Sequence, residues 1–112
     1  MNLCEYTYYL VRQIPRGRVS TYGAVAKALG NKQYARAIGT FMHNNPDADT
    51  MPCFKIVQSD GKLGGFGLGI EDKIRRLQDD GIVVKAGRIV DFDQVFFNDF
   101  KTRYPLKKKI RV

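Results

Sequence analysis

Apolar positions between residues 2 and 13 return every three or four residues, with Leu3, Tyr6, Tyr9, Leu10 and Gln13 in one line, and this spacing predicts an amphipathic helix of about three turns. Pro15 and Gly17 stop it in a turn, after which Arg18-Val19-Ser20 reads as extended. Thr21 is placed to cap a second helix, its hydroxyl accepting a free amide of the first turn. That helix runs through Tyr22, Val25, Ala26 and Leu29 and stops at Gly30, a residue suited to positive φ. Asn31 and Lys32 connect it to a third helix from Gln33 to His43, with Ala35, Ile38 and Met42 on its buried side. Two short helices joined by a tight turn containing glycine fit a helix-turn-helix.

Asn44-Asn45-Pro46-Asp47 ends the third helix with turn chemistry, and a loop leads on to Pro52 and Cys53. Phe54 to Val57 reads as a strand, and Ser59-Asp60-Gly61-Lys62 as a hairpin turn returning at Leu63. Residues 64 to 69 carry four glycines, and they lack the Lys-Ser/Thr ending of a phosphate-binding loop. They read as a loop that something approaches closely. A fourth helix spans Ile70 to Asp80. Glu71 and Asp72 in its first turn and Lys73, Arg75 and Arg76 beyond suit the helix dipole. Asp79 and Asp80 at its C-terminal end do not, so they are either screened surface residues or retained for another purpose. Residues 83 to 90 suit a small hairpin across Ala86-Gly87. Phe92, Phe96, Phe97 and Phe100 suit either a closing helix or an apolar segment on the core.

The 112 residues, 44% hydrophobic and 27% charged, make one globular domain with a core of its own. No segment nears the roughly 18 apolar residues of a membrane helix, and no basic-then-apolar leader opens the chain. A soluble protein is expected, cytoplasmic and nucleoid-associated or nuclear. The net charge of +8 is concentrated: residues 101–112 carry six lysines and arginines and no acid, while residues 1–100 hold 13 basic and 11 acidic side chains. The basic tail is therefore set apart from the 1–100 domain, as a solvated arm or a nucleic-acid contact.

Cys53 stands directly after a proline, which stiffens the backbone and can aim the thiol; filling the start of a buried strand is the plainer role. Cys4 and Cys53 match no metal or redox spacing and are read as free thiols. His43, the only histidine, lies where a donor caps a helix C-terminus, a place that favours capping over catalysis. The third helix collects Ala35, Ala37, Gly39 and Thr40 around Arg36, which allows either tight packing on a neighbour or close approach of a foreign backbone.

Several short motifs keep a fixed order: Ile14-Pro15-x-Gly17-x-Val19-x-Thr21-Tyr22-Gly23, Ala35-Arg36-Ala37-Ile38-Gly39, Asn45-Pro46, Pro52-Cys53, Asp60-Gly61-x-Leu63-x-Gly65-Phe66 and Asp80-Gly81. Together they resemble the C-terminal domain of O6-alkylguanine-DNA alkyltransferases and their alkyltransferase-like relatives, over roughly residues 3 to 90. The resemblance implies a mainly α fold with a small β wing, a winged helix-turn-helix that enters the minor groove of duplex DNA. It implies that a guanine alkylated on O6 is flipped out and its alkyl group moved irreversibly to Cys53. Arg36 resembles the finger that fills the vacated gap, and Tyr22 the residue pressing on the adjacent phosphate. Ala35, Gly39 and Thr40 belong with them on the DNA-facing helix, where small side chains suit a groove only about 6 Å wide. Asn45 looks like the support of the active-site loop. Phe66, with Pro52, Phe54 and Gly65, is placed at the base pocket.

Two departures stand out. The family's Pro-Cys-His-Arg is Pro52-Cys53-Phe54-Lys55 here, so the histidine that deprotonates the thiol is missing, and the glutamate behind it is replaced by Asp80. An unassisted thiol with pKa about 8.5 is only a few per cent thiolate at neutral pH. Asp80 acting through a water is one way to recover the loss, and Phe66 in place of tyrosine removes a donor to O6. The resemblance therefore implies either a slow, single-turnover methyltransferase or a sensor that holds the lesion and recruits other repair proteins. A winged-helix regulator of undamaged DNA is the third class. A monomer without metal or cofactor is expected.

Overall fold

Asn2 opens the first helix with a reciprocal cap: its side chain accepts from Glu5 N at 2.9 Å and its own amide donates to Glu5 Oε1 at 3.4 Å. The structure, a computed structural model, describes residues 2–65 and 68–102. Helix α1 is Leu3–Val11, with Leu3, Thr7, Leu10 and Val11 buried. It ends sooner than its periodicity predicts because Gln13 leaves the line. Its side chain donates to Lys101 O at 2.8 Å and accepts from Lys101 N at 2.7 Å.

Thr21 caps α2, Tyr22–Ala28, by accepting from Ala24 N at 3.0 Å, and Gly30 beyond it takes φ +98°. The predicted third helix is α-helical only over Ala35–His43 (α3). Lys32–Tyr34 before it form a 3-10 turn, because the Asn31 side chain captures the Gln33 amide at 2.9 Å and tightens the entry. Helices α1, α2 and α3 close around Leu10, Val25, Ile38, Met42 and Met51, the first of two apolar cores.

The second core joins Val19, Val57, Leu63, Leu77, Ile82 and Ile89. Between the two lies a short parallel pair, β1 (Ser20–Thr21) on β2 (Ile56–Val57). The strand expected over Phe54 to Val57 is thus only half present: Cys53–Lys55 is a 3-10 turn. Lys55 turns its side chain inward to Pro15 O at 2.7 Å, and a buried ammonium must follow its acceptors rather than a ladder.

Gln58 N bonds Lys62 O across the expected turn, and Leu63 then pairs with Gly87. Helix α4 is Ile70–Asp79. Strands β3 (Val84–Lys85) and β4 (Arg88–Ile89) make the wing. Ala86 and Gly87 both have positive φ, 53° and 75°, the pattern of a type I′ turn matched to strand twist. The closing segment is a single turn, α5 (Phe92–Val95), and then extended chain: Val19 N donates to Val95 O at 2.8 Å and Phe97 N to Val19 O at 2.7 Å. Arg18 binds Val95 O and Phe96 O and stands over the Phe97 ring. The fold is a helix-turn-helix with a small wing. Beyond Lys101 and Thr102 the basic tail lies outside the described residues, as do Phe66 and Gly67.

Candidate active site

Pro52 sits at φ −79°, ψ 65°, and Cys53 N donates to Met51 O at 2.8 Å. These are the marks of an inverse γ-turn centred on the proline, and the turn aims the next side chain. Cys53 is only 4% exposed, and its sulfur accepts from Asn45 Nδ2 at 3.2 Å. The same amide group donates to Met51 O at 2.9 Å, so Asn45 clasps both sides of the γ-turn. Its oxygen accepts from Asp47 N at 3.1 Å, which settles the amide's orientation.

The thiol is screened from bulk water and still faces open space. It forms part of the wall of two cavities. One, about 230 Å³, is bounded by Tyr22, Gly39, Met42, His43, Cys53 and Gly65. The other, about 180 Å³, lies against Met42, His43, Asn45, Ala48, Cys53 and Leu68, the last of these 61% exposed. Gly39 decides between the two readings of the small-residue helix. Among the described residues a Cβ built on it meets nothing within 4 Å, so none of the described helices requires the glycine. Its bare backbone opens the first cavity instead.

Tyr22 begins α2 beside that cavity, and burial, reinforced by any negative charge on Cys53, pushes its phenol pKa up. Arg36 and Thr40 are exposed on α3, Ala35 half-buried, and among the described residues no ion pair engages Arg36. A free guanidinium thus stands on the same helix that walls the cavity.

Three expected residues sit elsewhere. Pro52 builds the γ-turn and is not a wall of either cavity. Phe54 packs on the second core, because successive side chains of a 3-10 turn point about 120° apart and the sulfur already takes the cavity side. Asp80 is not at the sulfur. Its carboxylate accepts from Lys55 Nζ at 2.8 Å and Gly17 N at 2.9 Å, with Arg16 at 3.7 Å. The unfavourable C-terminal carboxylate of α4 is therefore explained by a buried cation, and it ties the 15–17 turn to the Cys53 turn. Phe66 lies outside the described residues.

Lys73, expected only to suit the dipole of α4, is fully buried. Its ammonium donates to Ile56 O at 2.7 Å, Leu63 O at 2.5 Å and Gly65 O at 3.2 Å, holding the strand after Cys53 and the glycine lip of the cavity together. Burial pushes its pKa down to about 8, and negative charge on Cys53 pulls it back up. A lysine in an otherwise polar helix sequence carries no signal of this. Among the described residues no group of His, Cys, Asp and Glu is arranged to hold a metal ion, and no helix is long and apolar enough to cross a membrane.

Residues 3–82 match the family described as 6-O-methylguanine DNA methyltransferase, DNA binding domain. A bifunctional methyltransferase/endonuclease of Picrophilus torridus is 49% identical over 108 residues, covering 96% of this chain and 36% of the relative. The chain thus spans about a third of that longer protein. A DNA base-flipping protein of Vibrio parahaemolyticus is 36% identical over 83 residues, covering 73% of this chain and 83% of the relative. Among solved structures, S. pombe Atl1 in complex with damaged DNA containing O6-carboxymethylguanine superposes with a TM-score of 0.72 at 25% identity, covering 87% of this chain and 98% of Atl1.

Proposed function

The chain belongs to the 6-O-methylguanine DNA methyltransferase family through its DNA-binding domain, and from that premise we propose that it repairs duplex DNA by taking an O6-alkylated guanine beside Cys53 and moving the alkyl group to the sulfur. The observation that carries this reading is the thiol's position: a buried sulfur that walls two cavities and accepts a hydrogen bond from Asn45. Asn45 supplies the sulfur with a hydrogen-bond donor from the active-site loop. The alkyl group on O6 lies on the major-groove edge of the base, so the nucleotide must leave the stack to meet a buried nucleophile on a protein that enters by the minor groove.

Helix α3 presents Ala35, Gly39 and Thr40 to the minor groove. Arg36 fills the gap left by the extruded nucleotide, and Tyr22 presses on the neighbouring phosphate. The S–C bond forms as the C–O6 bond breaks, and the thioether that results ends the protein's reactivity after one event. One copy of the chain and no cofactor suffice, wherever DNA is kept, in nucleoid or nucleus.

A second reading has its own support. Phe54 cannot accept a proton and Asp80 is committed to Lys55, which favours a sensor that holds the lesion without transfer. The Vibrio relative's name, a base-flipping protein, and the Atl1 complex point the same way. In the Picrophilus chain a homologous domain stands in a methyltransferase/endonuclease, which supports a nuclease as the kind of factor a sensor would recruit.

Mass spectrometry of the Cys53 peptide after incubation with duplex carrying O6-methylguanine separates the two. One added methyl group is expected. Tight binding with no adduct after hours would leave the sensor, and equal affinity for damaged and undamaged duplex would remove both.

A further inference from the structure

Alkyl transfer leaves a proton to be placed, and the residue types of the Cys53 turn do not place it. Among the described residues the titratable side chains lining the two cavities are Tyr22 from α2, His43 from α3 and Cys53 itself. Tyr22 is held protonated by its burial. Asn45 is a donor to the sulfur and has no basic atom to offer. Lys73 donates all its ammonium hydrogens to carbonyls, and Lys55 and Asp80 satisfy one another. The loop's own acids are engaged too, Asp47 by the amides of residues 49 and 50 and Asp49 by Arg76.

His43 remains. It is common to the walls of both cavities, together with Met42 and Cys53, and no hydrogen bond or ion pair engages its imidazole among the described residues. His43 stands in the last turn of α3, where a basic side chain suits the helix dipole, and among the described residues its imidazole hydrogen-bonds none of the helix-end carbonyls.

We infer that His43 is the proton acceptor for Cys53, replacing from helix α3 the histidine that is absent beside the thiol. This rests on the transfer reading above. The imidazole takes the thiol proton through water in the cavity that both side chains line. The thiolate attacks the O6-alkyl carbon, and the C–O6 bond breaks with its electrons left on the purine. The imidazolium then returns the proton to the purine's ring nitrogen. Thiol and O6-alkylguanine become thioether and guanine, with no other reactant.

The test uses iodoacetamide on the whole protein without DNA, following the Cys53 peptide by mass against pH, so its outcome is independent of whether methyl transfer occurs. His43→Gln is expected to slow Cys53 labelling at pH 7 on the order of 10-fold, with the rate still climbing into the range of an unassisted thiol. His43→Arg, which keeps a cationic donor at the helix end, should be as slow. Added imidazole should restore His43→Ala. Profiles for the three variants that overlay the parent's, or a His43→Arg protein that labels as fast as the parent, would overturn the assignment. A His43-dependent profile without methyl transfer from damaged duplex would instead keep the proton relay and remove the transferase reading.

Discussion

Lys73 gives the stability of this protein a defined dependence on pH. Its folded pKa lies near 8, below the ordinary 10.5 it recovers on unfolding, so between those values the unfolded chain binds more protons than the folded one. Stability from this group therefore rises with pH across that window and is flat below it. Relative to Lys73→Met, urea midpoints converted to free energies should show the parent gaining about 3 kcal/mol between pH 7 and 10.5, at 1.36 kcal/mol per unit of pKa. A constant difference would mean that the ammonium is not buried as described. At neutral pH the variant should still be the less stable, because three carbonyls lose their donor. Nothing local in the sequence announced this residue. An exposed lysine and a buried one have the same letters around them, and only the loop folded over α4 makes the difference.

At the scale of elements, α3 is a helix built to be approached. Gly39 costs a helix about 0.5–1 kcal/mol relative to alanine, and no packing among the described residues demands it. Gly39→Ala should raise the melting temperature by a few degrees, while Gly39→Leu should fold and lose preferential binding of the damaged duplex, measured by fluorescence anisotropy. Retained preference in the leucine variant would remove α3 from the interface. Arg36→Ala separates the finger from a simple phosphate contact: it should weaken binding to the lesion in duplex more than in single strand, where no gap needs filling. Much of this element was legible. The Thr21 cap, the Gly30 stop and the 3.6-residue period of α3 are local signals that tertiary contacts reinforced. The strand over Phe54 and Lys55 failed because two apolar letters beside a proline cannot reveal that the next lysine is pulled inward.

The molecule as a whole is two small cores joined at one polar seam. Lys55 and Asp80, with Gly17 N and Pro15 O, fasten the turn after α1 to the turn that carries Cys53 and to the end of α4. Removing one partner leaves the other buried and uncompensated, so Asp80→Asn should cost about 3 kcal/mol in urea unfolding and Lys55→Met together with Asp80→Leu appreciably less than twice that. Additive losses would show that the two charges do not act as a pair. The order of helices, the turns and the wing hairpin were determined by the sequence itself, because caps, glycines, prolines and periodicity act within a few residues. The partners of Asp80, the burial of Lys73, the turning away of Phe54 and the meeting of His43 with Cys53 in shared cavities were decided only by tertiary structure. They depend on which side chains a 3-10 turn and two crossing loops bring within hydrogen-bond reach, and residues ten to sixty positions apart hold no local record of that distance.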